Sequence, residues 1–414
     1  MKRSGSIASG VVENYLALGL RLGRHIPGFV DAYYGPAELA DKVALEAPVP
    51  PKELVATARA LLGAIDGGES LNAADERDVD DEPSGSTAIR RRWIRSQVIG
   101  LLTSARILSG ERVDYSEEVQ ACYGVRPRRV SEEIFLAAHK DLDEVVPGTG
   151  PLAERMVTWR ESLAIPPSKL RDVVRSLTED LRERTELLFG LPDGEHVEFV
   201  FVTNEPWSGF NYYLGNLHSR VAINLDLPVL SSSIAHIVAH ESYPGHHTEH
   251  SRKEVGLVRS RRYLEESIFL VGTPQCLIAE GLADLGLEVV MGRRPEKIIA
   301  EHLGALDISY DADAVAVVAE AGNVLSGARA NACFRLHEDC ADKDTVVEEL
   351  ARFALLPRVR AEKQVEFLTH PTWGSYITCY VEGLPLCRNF VSGRSDRFER
   401  LLSEQLIPSD LIAQ

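Results

Sequence analysis

The run Ser231–His250, SSSIAHIVAHESYPGHHTEH, constrains this chain more than any other stretch. Its last fifteen residues hold five of the twelve histidines, at His236, His240, His246, His247 and His250. Ile234, Ile237 and Val238 recur at helical spacing, and Ser231–Ser233 offer N-cap hydroxyls, so the upstream half reads as a buried helix. That helix cannot continue unbroken. Pro244 has no N–H to donate to the His240 carbonyl, its ring clashes there, and it drives Tyr243 away from α geometry. Gly245 tolerates the backbone that results.

Where the helix breaks decides which side chains meet. At about 100° per residue, His246 lies far round an ideal helix from His240, while His247 returns to that face two turns away. A local bulge that absorbs two extra residues brings a later histidine beside His240. Glu241 then takes the place of the glutamate in the H-E-x-x-H zinc signature, in which histidines hold the metal and the glutamate is the general base. The literal motif fails, because Pro244 stands four after His240. His236 and His240 are also spaced i, i+4, but with no glutamate in the base position, so His236 reads as a core histidine. His250 reads as surface.

The rest of the chain narrows the function classes. A formal charge of −17 argues against nucleic acid, since binding phosphates needs basic surface. No run is long and apolar enough for a membrane span, and the N-terminus lacks a signal-peptide pattern, so a cytoplasmic protein is expected. Cys122, Cys276, Cys333, Cys340, Cys379 and Cys387 are scattered without a C-x-x-C pair, which suits reduced, buried thiols. No feature specifies an oligomeric state.

Helical patterns fill the first ~190 residues, at 11–24, Glu53–Ile65, Arg90–Leu108, Ser131–Val145, Leu152–Ile165 and Lys169–Leu188. They are interrupted by a turn-rich HIPGFVDAYYGP and by an acidic stretch, Asp66–Gly85, read as a surface loop. The β-branched and aromatic segments His196–Thr203 and Arg220–Leu225 suit strands. A turn-rich connection separates them, and its Trp207, Tyr212 and Tyr213 are expected to pack around a cleft. Further helices are expected at Arg261–Leu270, Pro274–Met291 and Glu296–Glu320. The expectation is a mainly α fold with one small sheet preceding the histidine helix. It divides into a helical region, 1–190, that roofs the cleft, and a region, 191–414, that carries the chemistry.

HESYPGHH resembles the H-E-x-x-P-G-H-H signature of the DUF885 family, bacterial proteins placed in the zincin-like metallopeptidase clan. FNYYLGNLHSRVAIN is similar to that family's Tyr-rich strand region, and AEGLADLGLE (Ala279–Glu288) to its downstream helix. SGARANACFRLHEDC and EKQVEFLTHPTWGSYITCYVEG resemble C-terminal blocks of its shorter actinobacterial members. The likeness spans roughly residues 197–390, and FVDAYYGP more loosely. It implies a zincin-like fold with Zn2+ held by His240, His246 and Glu280, and His247 as the alternative second histidine. Asp284, one turn after Glu280, would orient a ligand histidine. Tyr376 and Tyr380 would supply an oxyanion donor, since the family carries tyrosine in its final helix.

The expected activity is zinc-dependent hydrolysis of peptide or amide bonds, with Glu241 as general base and short peptides as substrates. His247, Arg329 and Asn331 are candidate substrate contacts. Two other readings are a metal-dependent tailoring enzyme for a small amide-containing metabolite, and a non-catalytic binding module with a structural histidine cluster.

Overall fold

The apolar periodicity of the chain is realised as helices along most of its length. A computed structural model describes residues 10–72, 86–205, 207–370 and 373–412; most of the acidic stretch Asp66–Gly85 lies outside these. The helices Val11–Gly23, Pro51–Asp66, Ser86–Leu108, Glu132–Val145, Leu152–Ser162 and Pro167–Phe189 match the sequence patterns to within a few residues. Among the described residues, no helix is long and apolar enough to cross a membrane.

Among the described residues there are five short strands. They are β1 (Val30–Tyr33), β2 (His196–Val202), β3 (Gly209–Tyr213), β4 (His218–Asn224) and β5 (Ile268–Leu270). The order β2-β4-β3 gives a three-stranded sheet, with β2 parallel and β3 antiparallel to β4. β3 falls inside the segment that the residue pattern gave as a turn-rich connection and the family resemblance as part of a Tyr-rich strand region; there the aromatic run FNYY outweighs its flanking turn residues. A second, two-stranded sheet pairs β1 antiparallel to β5. One sheet was expected, and two are found among the described residues.

Two expected helices are also corrected. Arg261–Leu270 is a short 3₁₀ turn, Leu264–Ser267, running into β5, and Arg262 sits at φ 60°, where a helix cannot continue. Glu296–Glu320 is two helices, Glu296–Gly304 and Ala312–Leu325. Asp307 in a left-handed conformation ends the first, and the Asp311 side chain caps the second by accepting from Ala314 N–H.

Three apolar clusters hold these elements together. The N-terminal helices pack around Trp93, Tyr15 and Leu18 and take in Ile268 and Leu270 of β5. A second cluster carries the helix Ile234–Glu241 on its apolar face, through Ile234, Val238 and Ala239, against Leu282 and Leu285 of the helix Pro274–Met291. The latter helix is buried almost all round, as its sequence PQCLIAEGLADLGLEVVM allows. Its Glu280 therefore sits in the interior, where a carboxylate needs a cationic or hydrogen-bonding partner.

Candidate metal centre

The histidine stretch forms two helices, Ile234–Glu241 and His246–Lys253, with residues 242–245 between them. The Ser233 hydroxyl bonds back to the Leu230 carbonyl and does not cap the first helix, contrary to expectation. At the junction Gly245 N–H donates to the Ala239 carbonyl at 3.0 Å, and Thr248 N–H donates to the Ser242 carbonyl at 3.3 Å. Both bonds reach six residues back, not four, so the junction absorbs two residues as the Pro-Gly chemistry predicts. Pro244 rests against Gly286 of the Pro274–Met291 helix.

The widened turn brings Nε2 of His246 to 3.1 Å from Nε2 of His240. Glu280 reaches the same point, with Oε2 3.3 Å from His240 Nε2 and Oε1 3.6 Å from His246 Nε2. Glu241 joins the group: ligand atoms of His240, Glu241 and His246 all lie within 4.8 Å of one another. All four side chains are buried. Two imidazoles and a carboxylate facing one point could hold a divalent cation.

Hydrogen bonds set the orientation of each group. His240 Nδ1 lies 2.9 Å from Asp284 Oδ1, which His236 Nε2 also approaches at 3.3 Å. His236, half exposed, therefore sits at the edge of the site and not in the core. Asn211 of β3 donates to the Glu241 carbonyl at 2.5 Å, and Gly209 leaves room where a Cβ would crowd the Glu241 carboxylate. The Tyr376 hydroxyl donates to Glu280 Oε1 at 2.8 Å, and Tyr380 donates to Tyr376 at 3.4 Å. Both tyrosines therefore reach the cleft. They get there because Gly281 and Gly383 meet backbone to backbone, with no space for a Cβ at either.

The electrostatics follow from burial and crowding. Burial opposes a charge on His240, but the carboxylates of Asp284 and Glu280 beside it raise its pKa well above the usual imidazole range. Burial pushes His246 down to about 4. Burial and the neighbouring Glu280 and Asp284 push Glu241 up to about 7, against the pull of His240. Glu280 stays low despite burial because His240 and His246 face it. Its Oε2 nevertheless has no donor aligned with it, a defect worth about 1–3 kcal/mol in a buried group.

Not every expected site residue faces this point. His247 is fully buried, with Nδ1 2.8 Å from the Ser219 hydroxyl and Nε2 2.8 Å from Glu195. Both nitrogens are spent, on Ser219 of β4 and on Glu195 just ahead of β2, so it has no free edge for substrate. Asn331 uses its amide on the backbone N–H and carbonyl of Val130, both at 2.8 Å, and pins that segment. Arg329 is half-buried against the Gln364 amide, and burial lowers its pKa against the weaker pull of Tyr380. His250, expected at the surface, is buried and stacks on Tyr213. Trp207 packs on Phe210 and Tyr212.

Asp31 was not singled out from the sequence. Burial pushes its carboxyl up to about 7, and the charges of Glu280 and Glu241 add to the rise. The available signal was one acid between Phe29-Val30 and Ala32-Tyr33-Tyr34.

No protein family's sequence profile matches the chain, and no curated protein does. A Colwellia psychrerythraea protein described as a "putative lipoprotein" is similar in structure, with a TM-score of 0.50 at 14% identity over 87% of this chain. The chain spans 65% of that protein's length. A Shewanella oneidensis protein described as a "putative lipoprotein of unknown function" aligns at TM-score 0.45 and 12% identity, covering 98% of this chain and 82% of its own. The first likeness speaks to the fold alone.

Proposed function

We propose that this chain is a zinc-dependent hydrolase of peptide or amide bonds, zincin-like in its site, as the DUF885 resemblance implies. The observation that carries the reading is the convergence of His240, His246 and Glu280. A tetrahedral zinc at about 2.0–2.1 Å from each ligand sets neighbouring ligand atoms about 3.3 Å apart. The separations here are 3.1, 3.3 and 3.6 Å. The unpartnered Glu280 Oε2 supplies a second argument, since a cation at that point would answer it.

When bound, zinc supplies Lewis-acid activation of water and of the carbonyl under attack. The protein does the rest. Asp284 accepts from Nδ1 of His240, which leaves the Nε2 lone pair free for the cation. Glu241, beside both histidines, takes the proton of the attacking water and returns it to the leaving amine. Tyr376 and Tyr380 would turn their hydroxyls from Glu280 and from each other to donate to the developing oxyanion. Short peptides or small amides are the substrates of this reading. The six cysteines are unpaired, which fits a reducing compartment.

Elemental analysis of the purified protein, paired with a panel of di- and tripeptides and simple amides, tests the proposal. One zinc per chain and hydrolysis that is lost on chelation and in Glu241→Gln support it. A chain that neither takes up zinc nor cleaves any amide would sink it.

A further inference from the structure

Asp31 lies in β1, and the pairing of that strand leaves it out of the ladder. Val30 pairs with Leu270 and Ala32 with Phe269, so one extra residue, Asp31, stands between two consecutive partners on β5. A bulge of this kind re-aims the side chain that it carries. Ala32 stays buried in the core while Asp31 is only partly covered. β1 packs against β3, the strand whose Gly209 and Asn211 lie on Glu241. Its partner β5 leads directly into the helix that carries Cys276 and Glu280. The bulge thus sets Asp31 between the strand that backs Glu241 and the strand that leads into the Glu280 helix, near enough for its charge to reach Tyr212 and Cys276.

Among the described residues, no arginine, lysine or histidine pairs with Asp31, and it accepts no side-chain hydrogen bond. The charges that reach it from Glu280 and Glu241 are both negative. A cation bound by His240, His246 and Glu280 answers the orphaned oxygen of Glu280 but leaves Asp31 without a partner of its own. A half-covered carboxylate with no cation of its own, on the strand packed against the one that backs Glu241, suits a positive group on the substrate. In a peptide, the cation closest to a scissile bond is the free α-ammonium, two bonds from the carbonyl carbon of the first residue.

We propose that Asp31 receives the protonated α-amino group of the substrate, so that the chain acts on peptides or amides of amino acids with a free amino terminus. The inference rests on the metal-centre reading above. Asp31 is a specificity residue in it, and it touches substrate without holding the metal.

The test is the binding of glycine hydroxamate and N-acetylglycine hydroxamate to zinc-loaded wild type and Asp31→Asn, by calorimetry, with zinc content measured in both. The hydroxamate anchors on zinc, and acetylation removes only the cation that Asp31 would read. Expected are equal zinc contents, an affinity loss of about ten- to a hundredfold on acetylation in wild type, and a much smaller loss in D31N. Equal binding of the two ligands by wild type overturns the proposal whether or not D31N folds. An acetylation loss that persists undiminished in D31N is steric and also overturns it. Failure of wild type to take up zinc, or to bind either hydroxamate, removes the metal centre itself and is told apart by the zinc measurement.

Discussion

Oδ1 of Asp284 lies 2.9 Å from Nδ1 of His240, and this contact decides which nitrogen of that imidazole faces the cluster. The carboxylate accepts from Nδ1–H, so the Nε2 lone pair is left toward His246 and Glu280. Asp284→Asn keeps the shape but replaces a charged acceptor by an amide able to present either end. Zinc affinity should fall by about 10–100-fold, the usual cost of losing such a partner. Competition with a chelator measures it, and unchanged affinity would mean that the ring is held by packing alone.

His246 and His247 are adjacent, yet the structure gives them opposite surroundings. His247 Nε2 meets Glu195, whose carboxyl is held at about 2; burial opposes that charge, and hydrogen bonds from His247 and Tyr243 outweigh it. His246→Gln should therefore lose zinc with little loss of fold. His247→Gln should retain zinc but lose about 1–3 kcal/mol of stability, because buried polar partners are left imperfectly paired. Metal analysis beside chemical denaturation separates the two. Zinc loss in the second variant alone would exchange their roles.

These two histidines also show where sequence reasoning reaches its limit. The break between His240 and His246 was legible because proline and glycine act on their own turn of backbone. The engagement of His247 was not, since it depends on Glu195, just ahead of β2, and Ser219 of β4, 52 and 28 residues away. The same holds for Asp31, whose position depends on β1 pairing with a strand more than two hundred residues later. β3 was hidden by the Ser-Gly and Leu-Gly-Asn turns on either side of it. Helices, whose contacts are local, were the legible part of the fold; strand pairing and what it delivers to the site were not.

Glu241 carries a pH signature of its own in the metal-free protein. Its folded-state value is about 7, above the ordinary 4.5, so the folded chain holds this proton more tightly than the unfolded one. The stability this contributes is present below pH 4.5 and is lost as pH rises through 7. Glu241→Gln removes the ionisation. The metal-free variant should melt a few degrees higher than wild type at pH 8 and almost identically at pH 5, on the order expected for a relieved buried charge. The same variant should keep zinc while hydrolysis falls about 10²–10⁴-fold. A thermal-shift series across pH checks the first half. Equal shifts at both pH values would place the carboxylate in water.

The ligand geometry depends finally on Gly245. A Cβ there would fall 1.9 Å from the His240 carbonyl oxygen and 2.6 Å from that of Ala239, closer than any atoms can pack. The clash is with backbone, so no side chain can swing aside to relieve it. Gly245→Ala must push the start of the second helix away from the end of the first, and the Gly245 N–H bond to Ala239 goes with it. His246 rides on that second helix, so its Nε2 leaves the 3.1 Å approach to His240. The variant should be destabilised by several kcal/mol, about 2–4 by analogy with other overpacked interiors, and should bind zinc far more weakly. Gly286→Ala is the control, because its Cβ would meet the Pro244 ring edge at 3.0 Å, which can give by a few tenths of an ångström. G286A should fold with nearly full zinc affinity. Wild-type zinc binding by a folded G245A would show that His246 is not a ligand, and a structure of that variant would reveal where the ring has gone.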